Sequence, residues 1–550
     1  MGIMNMGMPK NEHMLSYAPG CGERVKIEEA IKKMENEKID IPLIIGGKEV
    51  RTGSTDICVM PHDHKHVLAT YHMAGKDEVA QAIEASLSAK RDWERMPWED
   101  RASICMRAAE LLSKKYRYVI NAATMLGQSK NVFQAEVDSA CESIDFLRLN
   151  AYFMQEIYKM QPISEEGMIN RVEYRPLEGF IFAVTPFNFT AIGANLPTSC
   201  AMMGNSVLWK PASTSILSNY YLMKVFMEAG FPAGVINFVP GPGSKVGNMV
   251  LPHKELAGIH FTGSTGVFNS MWKTVGENIA SYRSYPRLVG ETGGKDFVMV
   301  HPSADADMVA TALVRGAFEY QGQKCSAASR TYIPKSLWPA VKDRIGAFLG
   351  EITMGDTRDF SNFVNAVIDE KAFDSIMGYV DAAKNTNDAK IIFGGNGDKT
   401  KGYFIEPTLI EAKTPHFLTM EEEIFGPVLT AYVYDDNKFE ETLQICNETS
   451  PYALTGAIIA NDRKAVLKAF NELRFAAGNF YINDKPTGAV VGQQPFGGAR
   501  KSGTNDKAGS YLNLLRWTSP RTIKENLNAP THYAYEFLKR DEYHSNRKDK

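Results

Sequence analysis

A cysteine among small and polar residues is the first candidate for chemistry in this sequence. Cys325 lies in the segment FEYQGQKCSAASR, residues 318–330, shortly after Gly322. Such a segment favours an accessible turn or helix start, where backbone N–H dipoles lower the pKa of a thiol and favour the thiolate nucleophile. A single cysteine is more often a small buried hydrophobic residue, so the case for Cys325 depends on its companions.

Two polar residues directly follow apolar runs that have the length of strands. Asn188 lies in AVTPFNF and Lys210 in WKP. The carboxyl edge of an α/β sheet binds ligands, so an amide there can donate to an oxyanion, and a lysine can hold a ribose or a phosphate. Taken alone, Asn188 is more simply a turn or cap residue and Lys210 a solvated side chain.

Glycine turns and carboxylates supply further candidates. Residues 241–247, GPGSKVG, and 261–266, FTGSTG, can aim helix N-terminal N–H groups at a pyrophosphate, although neither is a complete GxGxxG fingerprint. Glu291 in ETGGK can act as a base if burial raises its pKa. Glu423 and Phe425 in EEEIFGPV can hold a ribose and brace a planar ring, or can simply form a helix end followed by a turn.

The elements that must position these residues alternate between strands and helices. Strands are predicted at residues 180–185, 206–210, 235–239 and 258–261, with a helix at 216–229 between them. A second α/β series runs from about residue 297 to 500. This alternation predicts parallel sheets of the nucleotide-binding type. A hairpin is predicted at 41–50, and exposed strands at 171–175 and 512–517 need cover from a partner subunit or a local hairpin.

Composition excludes several classes of function. The 550 residues are 44% hydrophobic and 23% charged, with a net charge of −3, so two or three globular domains are expected and no nucleic-acid partner is. No apolar run approaches the ~18 residues of a membrane span, so no membrane partner is expected. Seven cysteines without a CxxC pair indicate a reducing compartment and no metal site. No secretion signal is seen, and the bacterial cytoplasm and the mitochondrial matrix both stay open.

The post-strand asparagine, WKP, FTGSTG, ETGGK, GQKC and EEIFGPV occur in one order, and this order resembles the aldehyde dehydrogenase superfamily. Residues 185–191, 355–363 and 478–500 resemble the branch that oxidises L-glutamate 5-semialdehyde to L-glutamate in proline degradation. The resemblance implies an α/β fold with three parts. These are a Rossmann-type NAD-binding domain (1–169 and 179–290), an α/β catalytic domain (291–508), and a β-strand oligomerisation flap with a C-terminal tail (170–178 and 509–550). It also implies a homodimer or a dimer-based oligomer.

The resemblance assigns roles to the candidate residues. Cys325 attacks the aldehyde, Asn188 and the Cys325 N–H hold the oxyanion, and Glu291 activates water. The residues implied to hold NAD are Pro186, Phe187, Lys210, Gly263, Ser264, Glu423 and Phe425. NADP use stays open because Ser213 stands where many NAD-preferring relatives have a glutamate.

For the small-molecule substrate, the resemblance implies three kinds of contact. Ser326, Gly488 and Ala489 donate to the α-carboxylate, largely through backbone N–H groups. Phe189 and Phe496 flank the aliphatic chain, unless they only pack in the core, and Glu142 faces the α-amino group. Other readings of the chain are an enzyme for another semialdehyde, a CoA-acylating enzyme, which the presence of Glu291 disfavours, and an inactive binding protein on the same fold.

Overall fold

A computed structural model describes residues 5–538, which form two seven-stranded sheets with helices packed on their faces. None of the helices within residues 5–538 is long and apolar enough to cross a membrane. The α-helices are Gly22–Glu35, Lys76–Trp93, Trp98–Leu111, Arg117–Gln128, Val132–Ala135, Ser143–Lys159, Thr190–Met202, Ile216–Ala229, Gly243–Val250, Thr265–Glu277, Ala306–Phe318, Trp338–Glu351, Glu370–Lys384, Leu418–Glu421, Phe439–Glu448, Arg463–Glu472 and Tyr511–Leu515.

The first sheet contains five parallel strands and a hairpin at one edge. The predicted strand Ser206–Lys210 and the predicted helix Ile216–Ala229 have the bounds expected from the sequence. The hairpin turns on Gly46 and Gly47, whose φ angles of 57° and 75° suit glycine. In spatial order the strands are Arg287–Glu291, Leu256–Thr262, Phe180–Val184, Ser206–Lys210, Ile236–Phe238, Leu43–Ile45 and Lys48–Val50.

The second sheet has six parallel strands and one antiparallel edge strand. Its inner strands Asp296–Val300 and Thr455–Ile459 are buried at every residue, as strands of a parallel sheet covered by helices require. In order they are Ala389–Phe393, Thr408–Ala412, Val428–Tyr434, Ala328–Pro334, Asp296–Val300, Thr455–Ile459 and Asn479–Ile482. The chain passes from the first sheet to this one between Glu291 and Asp296, so the carboxyl end of an edge strand of the first sheet lies next to the amino end of an inner strand of the second.

Smaller sheets complete the fold. A three-stranded sheet joins Ile39–Ile41, Asp63–His72 and Thr55–Met60. Short strands form three further pairs, which are Thr353–Met354 with Asn362–Val364, Gly397–Asp398 with Phe404–Ile405, and Tyr452–Ala453 with Ala499–Arg500. A separate antiparallel ribbon pairs Met168–Pro176 with Thr518–Asn526 along their whole length. Each of the two exposed strands therefore has one edge hydrogen-bonded to the other strand, and no strand within residues 5–538 pairs with its second edge.

The predicted strand at 512–517 is wrong. Tyr511–Leu515 is a short helix, and the late strand begins only at Thr518. The Ser510 side chain caps this helix by accepting a hydrogen bond from the Leu512 N–H, and burial of Leu514 fixes its inner face. The apolar run was too short to distinguish a strand from a helix by its pattern.

Candidate functional site

Cys325 lies in a turn directly before the strand Ala328–Pro334. The turn is closed by a 3.0 Å hydrogen bond from the Ala327 N–H to the Lys324 carbonyl. Of the seven cysteines, all free, only Cys325 and Cys21 are half-buried, and the other five are buried. The structure therefore places this thiol at a turn open to a cleft.

The approach to this turn is strained. Tyr320 and Gln321 are consecutive non-glycine residues with left-handed φ angles of 50° and 55°. The Gln321 amide donates to the carbonyls of Ser129, at 3.1 Å, and Ala366, at 2.8 Å, and accepts from the Asn365 N–H at 3.0 Å. Such a conformation persists only where its surroundings hold it, and here the Gln321 side chain does so.

Asn188 follows the strand Phe180–Val184, as predicted, and its buried side chain reaches the nucleophile turn. Its Nδ2 donates to the Gln323 carbonyl at 3.1 Å, two residues before Cys325. This bond thus joins the segment after a first-sheet strand, which carries Asn188, to the segment before a second-sheet strand, which carries Cys325.

A cavity of about 750 Å³ opens beside the thiol. Cys325 and Asn188 line it together with every residue predicted to hold the cofactor: Pro186, Phe187, Lys210, Gly263, Ser264, Glu423 and Phe425. The first residues of the helices Gly243–Val250 and Thr265–Glu277 line the same cavity, so two positive helix ends face it.

Lys210 is the clearest sign that this cavity takes a ligand. Its side chain is buried, yet its ammonium group has no hydrogen-bond or ion-pair partner within residues 5–538. Burial lowers the pKa of Lys210 to about 8. A hydroxyl or phosphate oxygen in the cavity would satisfy this group, so the residues present fit a nucleotide.

Glu423 is fixed against the loop that joins the two sheets. Its Oε1 accepts a 2.9 Å hydrogen bond from the Gly294 N–H, and a Cβ on Gly293 would lie 2.2 Å from its Oε2, so a larger residue at position 293 would displace this carboxylate. Burial raises the pKa of Glu423 to about 7, although the Gly294 bond opposes the shift. Phe425, with a left-handed φ of 57°, places its ring edge-on to Phe187 at 5.9 Å.

Glu291 ends a strand of the first sheet, and its Oε2 accepts a 2.9 Å hydrogen bond from the Gly498 N–H. Burial raises the pKa of Glu291 well above its ordinary value, and this bond and Lys507 only partly oppose the shift. Burial also raises the pKa of the Cys325 thiol, and the nearby carboxylates of Asp296, Glu423 and Glu291 raise it further.

The expected lowering of the thiol pKa by backbone dipoles is therefore wrong. Burial and three carboxylates outweigh the N–H groups of a single turn. Cys325 rests as a thiol, and it needs a base to become a nucleophile.

The substrate-side candidates surround the other flank of the turn. The Ser326 hydroxyl lies 2.8 Å from that of Thr487, which brings Gly488, with a φ of 94°, and the half-buried Ala489 next to the nucleophile segment. Sequence reasoning missed Thr487, although it directly precedes the predicted Gly488.

The two predicted phenylalanines are half-buried, and neither belongs to an apolar core cluster in the described part of the chain. The Phe189 ring lies 4.1 Å from the ammonium group of Lys130, and the Phe496 backbone pairs with Ala508. Lys130 is fully buried and gave no signal in the sequence, because nothing around it resembles a site. Only the packed structure brings it beside Phe189.

Glu142 ends a π-helical segment, Glu136–Glu142, that lies near this lysine. Burial and the Asp138 carboxylate raise the pKa of Glu142 to about 8, and Lys130 and Lys324 oppose the rise. Lys130 itself is paired with Asp138 at 2.7 Å. Glu142 is thus a buried carboxyl that an incoming cation would ionise.

The fold has two α/β sheets, and the Cys325 thiol, the Asn188 amide and the Glu423 carboxyl line one cavity between them, while the Glu291 carboxyl acts on the pKa of the thiol. This arrangement is that of an enzyme with a cysteine nucleophile. The chain belongs to the aldehyde dehydrogenase family, whose sequence model matches residues 50–523.

Individual relatives are similar over nearly the whole chain. The sequence is 55% identical over 537 residues to the mitochondrial Delta-1-pyrroline-5-carboxylate dehydrogenase of Dictyostelium discoideum, which spans 97% of this chain and 96% of the relative. It is 46% identical over 529 residues to the protein of that name from Homo sapiens, and the match covers 96% of this chain and 94% of the human protein. The crystal structure of the Delta-pyrroline-5-carboxylate dehydrogenase from Mycobacterium tuberculosis bound with NAD superposes with a TM-score of 0.94, at 50% identity, over 98% of this chain and 99% of that one.

Proposed function

We propose that this protein oxidises L-glutamate 5-semialdehyde, the open form of 1-pyrroline-5-carboxylate, to L-glutamate with NAD as the cofactor. The observation that carries the proposal is the position of the Cys325 turn. On one flank it adjoins the cavity that holds Lys210 and Glu423, and on the other Ser326 contacts Thr487 at 2.8 Å. The names of the relatives support the same substrate and cofactor.

NAD is held in this proposal by the cavity residues, with Lys210 and Glu423 on its riboses and the helix that starts after Ser264 at its pyrophosphate. Bound there, NAD supplies the electron acceptor of the reaction. Lys210 fits this task because its buried ammonium group has no partner within residues 5–538.

The chain's own groups perform the remaining steps. Glu291 accepts the proton of the Cys325 thiol, whose raised pKa requires a base, and the sulfur adds to the aldehyde carbon. Asn188 and the Cys325 N–H stabilise the resulting oxyanion. After oxidation to the thioester, Glu291 first releases the thiol proton to solvent. The ionised carboxylate then takes a proton from water, and the hydroxide adds to the thioester carbon and expels the Cys325 thiolate, which leaves the product as a carboxylate.

Substrate selection depends on the other flank. The N–H groups of Gly488 and Ala489, with Ser326, form a nest of donors that takes the α-carboxylate without an arginine. Phe189 and Phe496 enclose the methylene chain. Glu142 faces the α-amino group, whose charge would lower the pKa of this carboxyl and keep it ionised.

The direct test follows absorbance of the reduced cofactor with three substrates. L-Glutamate 5-semialdehyde should give a far higher kcat/KM than succinic semialdehyde, which lacks the α-carbon and its amino group, or propanal, which lacks both charged groups. A preference for succinic semialdehyde would contradict the proposal in favour of another semialdehyde, and activity only with coenzyme A would indicate an acylating enzyme.

We also propose a homodimer built on the ribbon formed by Met168–Pro176 and Thr518–Asn526. Both strands have an exposed outer edge in the single chain, and a flat exposed strand ordinarily needs cover. The ribbon of one subunit would pack on an apolar surface of the other. This surface consists of the edge strand Asn479–Ile482 and the exposed side chains of Leu467, Phe470 and Phe475. If the native protein has the mass of a single chain, the proposed dimer is contradicted. The same holds if the Leu467→Glu variant keeps the mass of the dimer.

A mitochondrial location is proposed for a eukaryotic source, since the names of both eukaryotic relatives include that word, and the cytoplasm for a bacterial one. Cell fractionation with an antibody to the chain tests this directly.

A further inference from the structure

The N-terminal arm, residues 5–20, is docked along the helices on the substrate side of the site. The Glu12 N–H donates to Asp145 at 2.7 Å, and the Leu15 N–H donates to Glu136 at 2.9 Å. The Glu12 carboxylate is in turn paired with Arg117 at 2.6 Å. Arg117 and Glu136 are both buried, so the arm is held by charged groups that have little access to water.

Asn11 is the residue of this arm that is bonded to both Asp145 and Val491. Its Nδ2 donates both to Asp145 Oδ2, at 2.8 Å, and to the Val491 carbonyl, at 2.9 Å, and its Oδ1 accepts from Gln493 Nε2 at 2.9 Å. Asp145 lies one helical turn after Glu142, and Val491 lies two residues after Ala489. One amide thus joins the helix that carries Glu142 to the loop that carries Ala489.

Further contacts hold both ends of the loop of residues 487–491, including hydrogen bonds of Val490 to residues 493 and 494. Thr487 is bonded to Ser326 beside the nucleophile, and the Val491 side chain is buried in a small cluster with Phe146 and Leu149. Its interior contains Gly488 in a left-handed conformation, with the exposed backbone that a nest of N–H donors requires. The direction of the N–H groups between these ends depends on how firmly each end is fixed.

We propose that Asn11 is a positioning residue for substrate selection: it fixes the Val491 end of this loop and thereby aims the N–H groups of Gly488 and Ala489 at the α-carboxylate. The proposal rests on the proposed function, since it assumes a substrate with that carboxylate. Asn11 itself contacts neither the nucleophile nor the cavity that holds the cofactor.

The test compares two aldehydes in the full-length Asn11→Ala variant. We expect the KM for L-glutamate 5-semialdehyde to rise roughly fivefold, as loss of the hydrogen bond to one loop end predicts. The KM for propanal, the kcat for propanal and the Kd for NAD should stay as in the unaltered chain. A matched Asn36→Ala control, which removes only a bond within its own helix, should change none of them.

A charge-swapped pair separates loop positioning from docking of the arm. Asn11→Asp removes both donated bonds and places two carboxylates together. The thermal stability should therefore fall, and the KM for the semialdehyde should rise. Adding Asp145→Asn restores a donor and an acceptor between positions 11 and 145, but it gives the Val491 carbonyl no donor. Thermal stability should recover while the KM stays high.

Recovery of both stability and KM in the double variant would overturn the proposal, because docking of the arm alone would then explain the effect. An equal rise in KM for both aldehydes in Asn11→Ala, or no rise for either, would overturn it as well. If the unaltered chain oxidises propanal but not the semialdehyde, the proposed function fails, and that result is visible before any variant is made.

Discussion

Asn188 Nδ2 donates a 3.1 Å hydrogen bond to the carbonyl oxygen of Gln323, two residues before Cys325. The bond ties the end of a first-sheet strand to the nucleophile turn of the second sheet. The amide is therefore oriented before any substrate arrives, and stabilising an oxyanion needs no reorganisation of this side chain.

Replacing Asn188 with alanine should lower kcat for the semialdehyde by roughly 100- to 1000-fold, the usual effect of removing one oxyanion donor. The Kd for NAD should change little, because Lys210 and Glu423 remain. Steady-state kinetics and a fluorescence titration with NAD measure the two quantities. A parallel loss of NAD affinity would show that Asn188 supports the cavity rather than the oxyanion.

Replacing Cys325 with alanine should abolish oxidation while NAD binding survives. Cys21→Ala is the matched control, because Cys21 is the other half-buried cysteine, and it should keep full activity. Iodoacetamide should inactivate the Cys21→Ala variant as it does the unaltered chain. Activity left in Cys325→Ala would rule out the covalent mechanism.

The rate of thioester hydrolysis should rise with pH through the raised pKa of Glu291, because only the ionised carboxylate can accept a proton. Glu291→Gln should abolish this rise and let the acyl-enzyme accumulate on Cys325, which intact-mass spectrometry detects. A pH profile that keeps its shape in Glu291→Gln would assign the base to another group.

Glu291 should also make stability depend on pH. Burial raises its folded-state pKa above the unfolded value, so its contribution is fully present below the ordinary pKa of 4.5 and is lost as pH rises through the folded pKa. Urea titrations over this range should therefore show a growing stability advantage of Glu291→Gln over the unaltered chain. A constant difference between the two would contradict the burial of the charged form.

Gln321 tests whether strain before the nucleophile is functional. Gln321→Ala and Gln321→Gly both lose the bonds to Ser129 and Ala366, so kcat should fall in both. Glycine accepts the left-handed φ without strain, so Gln321→Gly should be about 1 kcal/mol more stable than Gln321→Ala. Equal stabilities by urea denaturation would mean that the strain at this position is negligible.

Much of the fold could be predicted from the sequence, and the cofactor-binding residues that it predicts line one cavity with Cys325. The alternation of apolar runs and helical stretches is a local property, so Ser206–Lys210 and Ile216–Ala229 were predicted with their observed bounds. Parallel strands that meet at one edge then placed Asn188 and Lys210 near a common ligand. The pattern failed at 512–517, where Ser510 caps a helix and burial of Leu514 decides its inner face.

The sequence by itself determined the types of the candidate reacting groups and most of the strands next to them, because both depend on residues close together in the chain. Only the tertiary structure decided the protonation of Cys325 and the bond between Asn11 and Val491, which are 480 residues apart. The thiol pKa depends on burial and on carboxylates from separate segments. The Asn11 contact depends on where the packed helices leave room for the arm, and no local pattern contains either property.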